Sequence, residues 1–248
     1  MCIRDRDGAK LGDDFIDAIA RNRSLQVLDL SKGYISEDLS SAIVTNTNIR
    51  EVVFYMCSIC ASTITALQQS TSLETLGVIY SESDELKSWL PSILRESKSL
   101  QAVFFVPRDD LLSSSDWMLI ANALASSKTI TYLRLDCVIH EKEVFDAVAE
   151  AIEKNQKFQW LRTRIADKLF QDNAIRAKLA ELPKLNQSFQ WFGPSHPNYL
   201  TAPQHLINRH RSPNFPKIKM VAGLMAYNLP KPYDGNSRKI YFGNVASK

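Results

Sequence analysis

One phrase recurs along this chain. "SKSLQAVFF" begins at Ser97, "SKTITYLRL" at Ser127, "NQKFQWLRT" at Asn155 and "NQSFQWFGP" at Asn186. Aligned on it, seven segments share an Asn or Ser, two variable residues and an apolar anchor. The anchors are Leu25, Ile49, Leu73, Leu100, Ile130, Phe158 and Phe189, spaced by 24, 24, 27, 30, 28 and 31 residues. Self-similarity at such periods marks a repeat architecture and restricts the fold more than any other feature of the sequence.

Within each copy, apolar residues are expected at the anchor and three and five residues beyond it. Nineteen of 21 such slots hold an aliphatic residue or Phe, whereas a 45% hydrophobic composition predicts about nine. Leu28 and Leu30, Val52 and Phe54, and Leu133 and Leu135 are examples; Thr163 and Pro194 are the exceptions. Period-two spacing over so short a stretch predicts a β-strand with one face buried.

Before each Asn or Ser the period changes to three and four, as in Leu86, Leu90, Ile93 and Leu94, or Val144, Val148 and Ile152. That spacing predicts an amphipathic helix, with Ser36, Ser83 and Ser115 as N-caps. Strand, turn, helix and turn form one unit. Parallel strands joined by helices cross over with a right hand, so stacked units give an α/β solenoid with strands on its inner wall.

The composite phrase resembles the ribonuclease-inhibitor-like class of leucine-rich repeats. It stands here as "AIARNRSLQVLDL" from Ala18, "AIVTNTNIREVVF" from Ala42, "ALQQSTSLETLGV" from Ala66, "ALASSKTITYLRL" from Ala123 and "AIEKNQKFQWLRT" from Ala151. "ILRESKSLQAVFF" from Ile93 lacks the Ala, and "LPKLNQSFQWFGP" from Leu182 is the most degenerate. The resemblance implies a curved parallel sheet inside and helices outside, with the concave face presented to another protein. Members occur in inhibitors, GTPase-activating proteins, immune receptors and ciliary assemblies. The family's Asn or Cys eight residues after the anchor stands only as Cys57; Gly33, Ser81 and Arg108 occupy equivalent places, which predicts irregular outgoing loops.

This reading divides the chain into three parts. Residues 1–10 are unassigned, since "MCIRDR" fits no repeat and no strand is expected ahead of the helix in "LGDDFIDAIARN". Residues 11–196 form the solenoid, and 197–248 form a basic arm. From Pro197 onward there are eight Lys or Arg against one acidic residue, and six of the ten prolines; residues 1–196 carry a net charge of −4. The prolines forbid long helices in the arm. Six aromatics and "IKMVAGLMAYNL" set it apart from a freely disordered tail. It is expected to be ordered by contact, with a partner preferred over its own repeats because attraction between exposed charges is screened beyond about 8 Å.

Chemistry is sparse. "CSIC" at Cys57 and Cys60 has zinc-site spacing but no second pair, and Cys57 sits in the repeat's own Cys slot. His196, His205 and His210 lie close in sequence with no acidic or Cys ligand beside them. No phosphate-binding loop, nucleophile elbow or H-E-x-x-H motif is present. No catalysis, cofactor or metal is expected. Apolar runs are too short to span a bilayer, the first residues are not a secretory signal, and four cysteines suit a reducing intracellular compartment.

The informative constellation is the inner wall. Alternate strand positions point away from the core and carry Tyr55, Phe104, Tyr132, Trp160 and Trp191 with Arg134, Arg162 and Arg164. These types are enriched at interface hot spots, and an exposed stripe of them marks a docking surface. The expected function is a non-enzymatic scaffold binding a protein partner through this wall and the arm. Alternatives are a fixed subunit of a large assembly tethered by the arm, a regulator of a GTPase or other enzyme, and nucleic-acid binding. The last would use Arg209, Arg211, Lys217, Lys219, Tyr227 and Tyr233 of the arm.

Overall fold

A computed structural model describes residues 12–81, 86–107, 112–189 and 191–193, with the backbone of 2–4. Ten strands and eight helices are found among them. In chain order they are β1 (Cys2–Arg4), α1 (Asp13–Arg21), β2 (Val27–Ser31), β3 (Tyr34–Ile35), α2 (Glu37–Thr45), β4 (Glu51–Tyr55), β5 (Ser58–Ile59), α3 (Ala61–Gln69) and β6 (Thr75–Ile79). There follow α4 (Leu86–Glu96), β7 (Ala102–Val106), α5 (Ser114–Ser126), β8 (Tyr132–Ile139), α6 (Lys142–Lys154), β9 (Trp160–Ile165), α7 (Asp167–Phe170), α8 (Asn173–Leu185) and β10 (Trp191–Gly193).

Eight strands form one sheet in the order β1-β2-β4-β6-β7-β8-β9-β10, with every neighbouring pair parallel. Each long strand therefore lies beside the strand of the next repeat, and the helices pack in succession, α6 packing on α8 past the short α7. This is the leucine-rich-repeat-like α/β arrangement that the periodicity predicts. A short second sheet pairs β3 with β5 beside the main one.

The anchors and the two apolar slots after them, among them Leu28, Leu30, Val52, Phe54, Leu133 and Leu135, join helix residues such as Leu39, Ile43, Leu124 and Ile152 in one core. Each such burial contributes about 1.5–3 kcal/mol, offset mainly by chain entropy. Thr163, one of the two exceptions, is also buried, and its hydroxyl donates to the Cys137 carbonyl at 2.9 Å.

The Asn or Ser of each phrase closes its turn, and Asn46, Asn155 and Asn186 also tie it to the preceding repeat. Asn186 donates from Nδ2 to the carbonyls of Ile152 (2.7 Å), Asn155 (2.8 Å) and Phe158 (3.2 Å), while its Oδ1 accepts from the Ser188 and Phe189 amides. Asn46 and Asn155 reach the preceding repeat in the same way. Ser70, Ser97 and Ser127 are too short to do so and accept only from their own turns. Ser99 makes the link instead, donating to the Ser70 and Leu73 carbonyls at 2.8 and 2.7 Å.

Four expectations are corrected. A strand does precede the first helix, for Cys2–Arg4 pairs in parallel with Asp29–Ser31; three residues are too few to show alternation. The N-cap of α5 is Ser113, in a capping box with Asp116, and Ser115 lies inside the helix; Ser36 caps α2 as expected, and Ser83 is outside the described residues. The first outgoing loops are regular, because Lys32, Met56 and Tyr80 share a left-handed turn (φ 54°, 53° and 49°), each amide donating to the next strand. Ser81 there does what Cys57 does one repeat earlier, its hydroxyl donating to Phe54 as the Cys57 thiol donates to Leu30. Finally, β8 carries two extra residues after Arg134, so Arg164 stands opposite Val138 rather than Asp136. The boundary near residue 196 and the whole arm lie outside the described residues.

Candidate protein-binding face

Strand register aligns the residues that point away from the helices into rows. One row runs Val27, Glu51, Thr75, Ala102, Tyr132, Trp160 and Trp191; the next runs Asp29, Val53, Gly77, Phe104, Arg134, Arg162 and Gly193. A third shorter row holds Ser31, Tyr55, Ile79 and Val106. Parallel strands lie about 4.8 Å apart, so side chains along a row touch.

Where two aromatics meet in a row they stack. Tyr132 and Trp160 have ring centroids 4.0 Å apart and planes inclined by 14°, and Phe104 lies 5.0 Å from Tyr132. This three-strand cluster gains about 0.5–1.5 kcal/mol per ring pair beyond area burial. At the other end of the face Tyr55 meets Tyr80 edge to face at 5.9 Å.

Beside the rings is a small ion cluster. Arg134 donates from Nε to Asp136 at 3.1 Å and forms a second, shorter contact through its other nitrogen. Arg162 approaches the second Asp136 oxygen at 3.8 Å. Burial, and then the neighbouring Arg134 charge, lower the Arg162 pKa, which Asp136 partly offsets. Burial likewise raises the Tyr132 phenol above its ordinary range, and its hydroxyl makes no hydrogen bond among the described residues. The arrangement positions a rigid aromatic and guanidinium surface.

The sequence-chosen residues therefore do share one face, with two adjustments. Arg164 is displaced by the β8 insertion and donates to the Asp136 carbonyl. Trp191 lies on β10 opposite Trp160, its side chain outside the described residues. Arg209, Arg211, Lys217, Lys219, Tyr227 and Tyr233 are also outside them, as are His196, His205 and His210.

The larger correction concerns exposure. An open wall was expected, yet Phe104, Trp160 and Arg134 are 4%, 2% and 1% exposed. Alternation assigns a residue to a face and says nothing of what lies above that face. Glu51, Val53, Ile79 and Val106, which the sequence reading did not select, are buried on it too. The binding candidates also omitted Asp136, which orders both arginines; its place in the same strand column was the available signal.

The cysteines have structural partners. Burial raises the Cys57 thiol, which donates to Leu30. Cys60 is also raised by burial, but hydrogen bonds with Ser62 and Thr63 outweigh this and lower it. Among the described residues no group of His, Cys, Asp or Glu is arranged to hold a metal. No described helix is long and apolar enough to cross a membrane.

No family model matches this chain, and no curated protein matches it in sequence. Solved structures with some likeness include leiomodin-1 actin-binding site 2, at 13% identity and a TM-score of 0.46, covering 72% of this chain and 91% of that one. Another is the tropomodulin C-terminal domain of Caenorhabditis elegans, at 17% identity and a TM-score of 0.41, covering 58% of this chain and 92% of that one. Likeness at this level does not extend to a shared partner.

Proposed function

We propose that this chain is a non-enzymatic scaffold of the leucine-rich-repeat type that binds a protein through the sheet face opposite its helices. The observation that carries the reading is the cluster of Phe104, Tyr132 and Trp160 beside Arg134 and Arg162 on three adjacent strands. Aromatic and Arg side chains held rigidly by neighbours lose little entropy on binding, which is why they dominate interface energetics. The ion cluster adds direction, since pairing with Asp136 fixes the plane of the guanidinium.

The test separates binding from folding. A partner retained by the full chain at constant stoichiometry is measured again with the Tyr132→Ala/Trp160→Ala double variant. The reading expects about a hundredfold weaker binding, as two hot-spot rings of about 1–2 kcal/mol each imply, with the far-UV spectrum unchanged. Unaltered affinity in a folded variant would remove the face from the function.

A further inference from the structure

Four side chains make a square on the candidate face: Tyr132 stands opposite Trp160, and Arg134 opposite Arg162, across β8 and β9. Asp136 serves the two arginines unequally. Its Oδ2 accepts from two nitrogens of Arg134, whereas Arg162 approaches Oδ1 only to 3.8 Å, beyond hydrogen-bond distance. The Arg162 guanidinium makes no hydrogen bond among the described residues, although the side chain is only 17% exposed. The Tyr132 hydroxyl is in the same condition. It is out of solvent with no hydrogen bond among the described residues, and the charges of Arg134, Arg162 and Asp136 all act on it. Buried donors are otherwise almost always paired.

The ladder between the two strands breaks beside these donors. Register passes from Arg134 opposite Arg162 directly to Val138 opposite Arg164, so the stretch that carries Asp136 bulges from the pairing. Such irregularities re-aim side chains and are common next to functional sites. We propose that the square is a subsite for one acidic side chain of the protein partner. Its carboxylate accepts from the Arg162 fork and from the Tyr132 hydroxyl, while its methylenes lie against the Tyr132 and Trp160 rings. This rests on the binding reading above and names the chemistry that the face selects.

Three features fit that ligand. A guanidinium offers parallel N–H groups at the spacing of two carboxylate oxygens. Asp136, beside the site, repels a phosphate dianion more strongly than a monoanion in the same place. The stacked rings, 4.0 Å apart, give an apolar wall that strengthens charged hydrogen bonds made next to it. An amide in the carboxylate's place would bring an NH2 group against the guanidinium, so the subsite separates Glu from Gln.

The test titrates the full chain with N-acetylglutamate α-methylamide, a blocked residue whose only charge is its side-chain carboxylate. The readout is the NMR signal of the Arg162 Nε–H group, identified by its loss in Arg162→Lys, with sodium chloride holding ionic strength constant. A saturable shift is expected, about tenfold weaker in Tyr132→Phe, which removes one hydrogen bond to a charged group. Tyr132→Phe should also melt no lower than the parent, since the hydroxyl has no bond within the fold to lose. Equal affinity for N-acetylglutamine, whose charge is on its α-carboxylate, would overturn the side-chain assignment, and tighter binding of inorganic phosphate would overturn the carboxylate. An absent shift, an unchanged affinity in Tyr132→Phe or a lower melting temperature would each overturn the subsite. These readouts use no partner, so they can fail while the Tyr132→Ala/Trp160→Ala variant still loses its partner, and the binding reading is judged separately.

Discussion

Phe104 and Phe105 are neighbours on β7 that face opposite sides of the same sheet. Phe105 packs into the helix-side core with Trp89 6.0 Å away edge to face, while Phe104 leans on Tyr132 across the other face. Both are nearly inaccessible, at 2% and 4% exposure. The equality is superficial. The helix-side cover is made within each repeat and renewed seven times by the same phrase. The opposite side consists of rows of unlike residues, Asp29, Val53, Gly77, Phe104 and Arg134, that no repeat logic fills. One side is burial required by the architecture; the other is available to be specialised.

The largest expected effect breaks the comparison at those two residues. Phe105→Ala should cost about 3–5 kcal/mol through the cavity it leaves in a core that cannot collapse. Phe104→Ala should cost clearly less, about 1–2 kcal/mol, because that face is not packed by the helix layer and the site can relax into the space. Urea unfolding of both variants checks this, and equal losses would make the two faces one kind of core.

Next comes the turn chemistry beneath the helix-side core. Asn186→Ala leaves the carbonyls of Ile152, Asn155 and Phe158 without their donor and should cost about 2 kcal/mol. Ser127→Ala, whose hydroxyl accepts one amide at 3.3 Å, should cost about half as much or less. Thermal melts of the pair rank them, and the reverse order would contradict the bridging role assigned to Asn.

Gly77→Ala sharpens the reading of the opposite face. A Cβ there would meet both Val53 methyls at 3.2 Å, so Val53 must yield by a few tenths of an ångström. If that face is covered, yielding is resisted and stability falls by about 1 kcal/mol. If it is open, Val53 moves freely and the change is neutral, as a denaturation curve would reveal.

The smallest effect lies on the outer side of the helix layer. Hydrogen bonding by Lys178, at 2.8 Å, and the Lys142 charge hold the Asp146 carboxyl below its ordinary pKa, joining α6 to α8. A carboxyl depressed in the folded state stabilises above its unfolded pKa and loses that contribution as pH falls through its folded value. The pair is more than a third exposed, so screening leaves only a few tenths of a kcal/mol. Lys178→Ala should therefore lower stability by a few tenths of a kcal/mol at pH 7, and the difference from the parent should vanish as pH falls through the Asp146 pKa, as melts at the two pH values would show.

Period-two spacing made the helix-side face legible because each buried residue there answers to a rule that recurs in every repeat. Cys2–Arg4 was missed since three residues cannot display a period, and the shift of Arg164 was hidden because counting from the anchor carries no trace of two residues inserted later in β8. Phe104, Tyr132 and Trp160 were placed on the correct face, but the burial of Phe104 and Trp160 was not foreseen. Alternation reports the side of a sheet on which a residue lies and carries nothing of what lies above that side. Ser81 doing the work of Cys57 was also readable only in part, as the position matched while the residue type did not.

Hydroxyl-radical footprinting of the free full-length protein measures the coverage of that face most directly. Tyr34 and Met118, at 47% and 40% exposure, set the rate for open side chains, and Phe105 and Phe158 set it for the core. The account predicts that Phe104 and Trp160 oxidise at rates near those of Phe105 and Phe158, with half-buried Tyr132 between the two limits. Oxidation at the pace of Tyr34 and Met118 would contradict it, leaving a bare face in the free protein.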